Sequence, residues 1–170
     1  ALFHIQQGNT SGALKVYDDY VFDINSVEGL TMSNAISLLA RLDFLGVNVG
    51  ERWQRLVPGS VFRIGHHTKP FNDCHYAYAL AKAGATGALN DLLSSMRDAS
   101  DMKTHAGKLL QEVGVPVAAG LASLAKGNYG TSFGELEPVW SKIWMLGGSN
   151  AQRDFFDQSI MRSLNGLAKN

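Results

Sequence analysis

The segment "AKAGATGALNDLL", Ala81–Leu93, places a glycine after a helical run and then opens a new one with small residues. Glycine belongs at the end of a helix because it enters the left-handed region without a Cβ penalty and so closes the last turn. Beyond it, Ala88, Leu89, Leu92, Leu93 and Met96 recur at spacings of three and four, the period of one helical face. A helix that stops and restarts across so short a polar turn folds back on its predecessor as a hairpin. The same grammar recurs in "QQGNTSGALKVY", Gln6–Tyr17, and "AKGNYGTSFGEL", Ala125–Leu136. Gly8, Gly84 and Gly127 are the three stops; their uneven spacing makes the repeat a loose one.

Breaks at Gly8-Asn9, Gly46 to Gly50, Gly84 to Gly87, Gly114 to Pro116, Gly127 to Gly130 and Gly147-Gly148 delimit helices near residues 1–7, 11–22, 31–45, 49–57, 70–83, 87–97, 101–113, 116–126, 132–145 and 150–165. Met102, Ala106, Leu109, Leu110 and Val113 form one apolar stripe, and Leu136, Val139, Trp140, Ile143 and Trp144 another. Sustained period-two alternation bounded by hairpin turns is absent, so no sheet is expected. Pro58–Lys69, "PGSVFRIGHHTK", carries neither period and reads as the longest loop. The expected fold is all-α: antiparallel helical hairpins stacked as a tetratricopeptide-like superhelix, one domain over 1–170, with a compact irregular bundle as the alternative. The helix-turn-helix unit of tetratricopeptide repeats is about 34 residues long.

Composition narrows the function classes. Lys and Arg total 15 and Asp and Glu total 15 in 170 residues, so no net field draws the chain to nucleic acid or to an acidic membrane. With 45% hydrophobic residues it can bury a sizeable core. Cys74 is the only cysteine, which excludes an internal disulfide and favours a reducing, cytoplasmic setting. The small apolar run Gly114–Ala125 is about half the roughly 20 residues a bilayer span needs. The chain opens on Ala1 inside an amphipathic pattern, as a fragment or a processed piece would.

"GGSNAQRDFFDQSI", Gly147–Ile160, follows the Trp140–Trp144 stripe where a helix stop belongs, and Ser149 precedes a new stripe of Phe155, Phe156, Ser159 and Ile160. Ser149-x-x-Gln152 is a capping box, in which the hydroxyl accepts from the third amide and the Gln side chain returns to the cap amide. Ser132 to Glu135 repeats the pattern one helix earlier. A phosphate loop lacks its Lys-Ser/Thr here, and a nucleophile elbow lacks its Gly-x-Ser-x-Gly.

The same stretch resembles the signature near the end of the tetratricopeptide repeat protein 38 family, through Gly147, Gly148, Ser149, Ala151, Gln152, Arg153 and Asp154. Leu2–Val21, Ala35–Leu56 and Phe71–Gly84 agree with that family in order, so the likeness covers nearly the whole chain. It implies an α-helical, tetratricopeptide-like superhelix forming the C-terminal portion of a longer protein, with a binding or scaffold role. A site shared with the preceding half of such a protein would be incomplete here.

Candidate site residues are few. Asp73 fits either a carboxylate favoured at a helix start or, with His75, a functional pair reaching one cavity. Cys74 lies about 100° around the helix from each and reads as a small buried hydrophobe. His4, His66, His67, His75 and His105 show no metal spacing, so no metal and no cofactor are expected. Arg153, a cation near a helix start, requires an offset: a pair with Asp157, a buried carboxylate such as Asp73, or a ligand's carboxylate or phosphate. Asp154 belongs to the same motif. Trp140, Trp144 and Trp53 divide between core and recognition platform. The expected function is a binding scaffold for a protein or peptide partner, with a small-molecule ligand as second candidate and neither nucleic acid nor membrane. The alternative is an enzyme or small-molecule binder using Asp73, His75 and Arg153.

Overall fold

At the three glycine joints the backbone closes in one geometry. In the computed structural model, which describes residues 1–23 and 27–168, Gly8, Gly84 and Gly127 have φ of 70°, 71° and 78°. Gly84 N–H donates to the Ala81 carbonyl (3.1 Å), Ala85 N–H to the Leu80 carbonyl (2.9 Å), and Thr86 N–H to the Gly84 carbonyl (2.9 Å). Gly8 and Gly127 carry the same three bonds, each between 2.9 and 3.1 Å. This closure satisfies carbonyls that the ending helix would orphan, and the next helix starts two residues on.

The elements in chain order are α1 (Leu2–Gln6), α2 (Thr10–Val16), α3 (Gly29–Phe44), α4 (Arg52–Arg55), α5 (Val57–Phe62), α6 (Pro70–Lys82), α7 (Thr86–Ser100), α8 (His105–Leu109), α9 (Val115–Ala125), α10 (Tyr129–Leu136) and α11 (Asn150–Leu167). π segments extend α2 over Tyr17–Val21 and join α8 to α9 over Leu110–Gly114, and a 3-10 segment covers Glu137–Leu146. Among the described residues there is no strand, so the chain is all-α.

α6 is the centre. Residues on all its sides are buried, from Phe71 and Cys74 to Tyr78 and Leu80, as expected of a helix enclosed by others. It packs most extensively on α9 and also on α3 and α7, while α10 bridges α9 and α11. Ile36, Leu39, Leu92, Leu121, Phe155 and Phe156 complete the core.

Several boundaries depart from the sequence expectation, each for a local reason. The loop expected over Pro58–Lys69 holds most of α5, with Pro58 in its first turn, where a missing N–H costs nothing. The region expected as one helix over 49–57 is split into α4 and the start of α5. Met102 stays outside α8 and is 59% exposed, because Thr104 caps that helix by accepting from Gly107 N–H (3.0 Å). Ala106, expected on the same apolar stripe, lies in the first turn of α8 and is exposed, as is His105. The break expected at Gly114–Pro116 does not interrupt the chain: Pro116 lacks the N–H that would bond four residues back, and a π turn absorbs the defect. Ser132 is no cap; Asn128 precedes α10, and the buried Ser132 hydroxyl meets that of Ser163 at 2.7 Å. In the 3-10 segment Val139, Ile143 and Leu146 face inward, leaving Trp140 38% and Trp144 66% exposed.

Candidate functional site

The N-termini of three long helices open on one groove. Its volume is about 490 Å³. Glu28 and Gly29 come from the start of α3, Phe71 and Asn72 from that of α6, and Gly148 and Gln152 from that of α11. Arg63, Thr68 and Lys69 of the strap between α5 and α6 close the side. Each helix start carries a partial positive charge of roughly half an electron, from amides with no partner inside the helix.

The three starts are capped differently. Glu28 accepts from Leu30 N–H (3.0 Å) and Thr31 N–H (2.6 Å), which holds its carboxyl below the usual range. Ser149 and Gln152 form the expected capping box: Ser149 Oγ accepts from Gln152 N–H (3.3 Å), and Gln152 Oε1 accepts from Ser149 N–H (2.8 Å). α6 has no side-chain cap, and Pro70 at its first position supplies no N–H. Gly29 sets the width of the groove, since a Cβ there would lie 2.3 Å from Asn72 Nδ2. Asn72 is held by the Ser33 hydroxyl, which donates to its Oδ1 at 2.9 Å.

A small cleft of about 20 Å³, room for one water-sized group, shares Arg63, Thr68, Lys69 and Asn72 with the groove. It adds His66, His67, Asp73 and Tyr76. His67 Nδ1 lies 3.3 Å from Asp73 Oδ2, and its Nε2 lies 2.7 Å from Ser95 Oγ. The chain Asp73–His67–Ser95 has the order of a nucleophilic triad. Ser95 sits inside α7, where its own amide is spent on the helix ladder and offers nothing to an oxyanion. The chain therefore acts as a tether that ties the strap to α6 and α7. It also supports His67 at φ 42°, a conformation uncommon outside glycine. Among the described residues the buried Tyr76 hydroxyl has no hydrogen-bond partner, and burial raises its pKa to about 12.

The sequence candidates separate. Asp73 lines the cleft. His75, on the same helix, is enclosed by the rings of Phe71, Phe155 and Phe156 at centroid distances of 4.5, 4.9 and 5.3 Å. Its Nδ1 donates to the Phe71 carbonyl (2.7 Å), and burial lowers its pKa to about 4, so it is a neutral core residue. Trp53 is likewise core rather than platform, buried edge-on against Tyr78 at 5.6 Å. Cys74 is fully buried as expected, with Sγ 3.5 Å from the Gly114 carbonyl and its thiol pKa pushed up by burial.

Among the described residues Arg153 forms no ion pair with either expected protein partner, Asp157 or Asp73. Its guanidinium folds back onto the carbonyls of Gly148 and Gly147 and the side chain of Asn150. Those carbonyls belong to the preceding stop, so the cation is offset by the acceptors that the 3-10 segment leaves behind. Arg153→Lys keeps the charge but loses the fork and should cost about 0.5 kcal/mol, or 1–2 °C in melting temperature. A fall beyond 5 °C in a thermal melt would show a buried role instead. Ser149→Ala, which removes the α11 cap, should cost about 1 kcal/mol in a denaturant titration.

Asp154 reveals the residue that sequence reasoning missed. Arg41 of α3 is only 5% exposed and donates to Asp154 (3.2 Å), to the Ala151 carbonyl (2.9 Å) and to the Ser37 carbonyl (3.1 Å). Gln158 also donates to Asp154 (2.6 Å). Arg41 thereby locks the first turn of α11 onto α3. Its signal was one arginine inside the apolar run "LLARL", Leu38–Leu42, which implies a buried charge with a distant partner. Arg41 also lines a second recess of about 420 Å³, with Leu2, Val21, Leu38 and Gln152. Leu2, which lines this recess, is exposed, as is Phe3 beside it in sequence.

No family model matches the chain, and no solved structure matches it. Among the described residues no group of His, Cys, Asp and Glu is placed to hold a metal. Among the same residues no helix is long and apolar enough to cross a membrane.

Proposed function

We propose that the chain is a ligand-binding module: the C-terminal part of a tetratricopeptide-like protein of the tetratricopeptide repeat protein 38 family, its helical hairpins stacked as a superhelix. Support for the hairpin array comes from the three joints that close with the same bonds and the same glycine φ. The binding site is the groove where α3, α6 and α11 begin. The convergence of three helix starts on one 490 Å³ cavity carries this reading, since helix ends aimed at open space are a recurrent ligand-holding arrangement. A scaffold fits better than an enzyme because Asp73, His75 and Arg153 go to a cleft, an aromatic cage and a helix cap.

The test is a mixed library of peptides and neutral and charged small molecules, screened by amide chemical shifts. Binders should move Gly29, Lys69, Phe71 and Gly148. Shifts clustered instead at the Arg41 recess or around Trp140 and Trp144 would place the site elsewhere and overturn the assignment.

A further inference from the structure

Four residues line both the groove and the cleft, and all four offer donors: the Arg63 guanidinium, the Thr68 hydroxyl, the Lys69 ammonium and the Asn72 amide. Arg63 Nε donates to the Val27 carbonyl (2.6 Å), which fixes the guanidinium at the wall. Among the described residues neither Arg63 nor Lys69 forms an ion pair. Asn72 uses its oxygen on Ser33, so its remaining capacity is to donate. The two carboxylates nearby are committed. Glu28 caps α3, and Asp73 faces His67.

Two further observations point to a missing acceptor here. α6 begins at this junction with no side-chain cap. Independently, Tyr76, 2% exposed, lines the cleft, and among the described residues its buried hydroxyl has no hydrogen-bond partner. A buried hydroxyl left unpaired keeps its desolvation penalty uncompensated, and a ligand oxygen in the cleft would relieve it.

We infer that the junction binds the phosphate group of a small phosphate monoester, the groove holding the rest of the molecule; this rests on the groove being the binding site. A carboxylate brings two oxygens, whereas three terminal oxygens suit a ring of Arg, Lys, Thr, Asn, a helix start and a tyrosine hydroxyl. The cavity lies in the range of small-molecule sites and is bounded by helix ends, not laid along a helix face as an extended peptide would require.

The experiment is calorimetric titration of the chain at low salt with inorganic phosphate, glycerol 3-phosphate, acetate, a phosphoserine peptide and vesicles containing phosphatidic acid. Glycerol 3-phosphate should bind more tightly than phosphate, acetate more weakly, and affinity should fall as salt rises. Lys69→Ala changes an exposed side chain and should weaken glycerol 3-phosphate binding about tenfold. Tyr76→Phe removes an unpaired buried hydroxyl, so the free variant should melt at or above the wild-type temperature while binding glycerol 3-phosphate about threefold more weakly. Absence of phosphate and glycerol 3-phosphate binding at millimolar concentration, or affinities unchanged in both variants, would overturn the inference. So would tighter binding of the phosphopeptide or the vesicles than of glycerol 3-phosphate. Neutral compounds that shift groove amides while phosphates do not would leave the groove assignment standing and remove only this inference.

Discussion

Gly148→Val is expected to destabilise the protein by about 3–4 kcal/mol, several times the effect of removing the neighbouring cap with Ser149→Ala. Two costs combine. Gly148 has φ 79°, where an L side chain brings its Cβ against the following carbonyl, at about 1–2 kcal/mol. In addition, a Cβ at this position would lie 2.8 Å from Phe71 Cε2, and overpacking a tight contact costs about 1–3 kcal/mol. Phe71 has little room to yield, because its ring already meets His75 at 4.5 Å and Phe156 at 5.5 Å. In a chain of 170 residues the summed cost corresponds to a melting temperature lower by about 10 °C. Gly148→Ala separates the two components, since it carries the conformational cost with a smaller side chain. A Gly148→Val melt within 2 °C of wild type would mean that the groove floor is soft and that the α11 start is not seated on Phe71.

What the sequence discloses and what it hides follow from the range of the forces involved. The joints at Gly8, Gly84 and Gly127 and the Ser149–Gln152 box are local, each settled within six residues by φ and by short hydrogen bonds. Hydrophobic spacing likewise placed α7 and the stripe of Phe155, Phe156, Ser159 and Ile160 on the core. Periodicity failed where backbone chemistry overrode it: at Thr104, whose cap starts α8 after Met102, and at Pro116, where a π turn carried the chain through an expected break. It also failed at Trp140 and Trp144, which flank an inward stripe without joining it.

The candidate site was harder to see for a different reason. Glu28, Arg63, Lys69 and Gly148 are far apart in sequence and share no spacing rule, because helix ends are brought together only by tertiary packing. Asp73 was recognisable as a residue with a possible role, yet its partner His67 depends on one left-handed residue in a segment read as plain loop. Arg41 and Asp154 could each be noticed alone, but the pairing of α3 with α11 needed the fold.

The core His75 gives the protein an acid-sensitive stability whose sign and window can be stated. Burial is the chief cause of its depressed pKa; the Phe71 carbonyl opposes the shift, and the Arg41 charge adds to it. In the unfolded chain a histidine titrates near pH 6.5, whereas in the folded protein His75 titrates at about 4. Above pH 6.5 the imidazole is neutral in both states and contributes no pH dependence. As pH falls from 6.5 to 4 the unfolded state takes up the proton first, so folding loses stability by about 1.4 kcal/mol per unit, roughly 3 kcal/mol in all, and the loss levels off below 4. His75→Phe keeps an aromatic ring among Phe71, Phe155 and Phe156 and removes the titration. Urea titrations at pH 7 and pH 4.5 should show the wild type losing about 2–3 kcal/mol more than His75→Phe over that interval. Groups that titrate in both proteins cancel in this difference. Equal losses in the two proteins would mean that the imidazole is charged or solvated in the native state, and the aromatic cage around it would then be open.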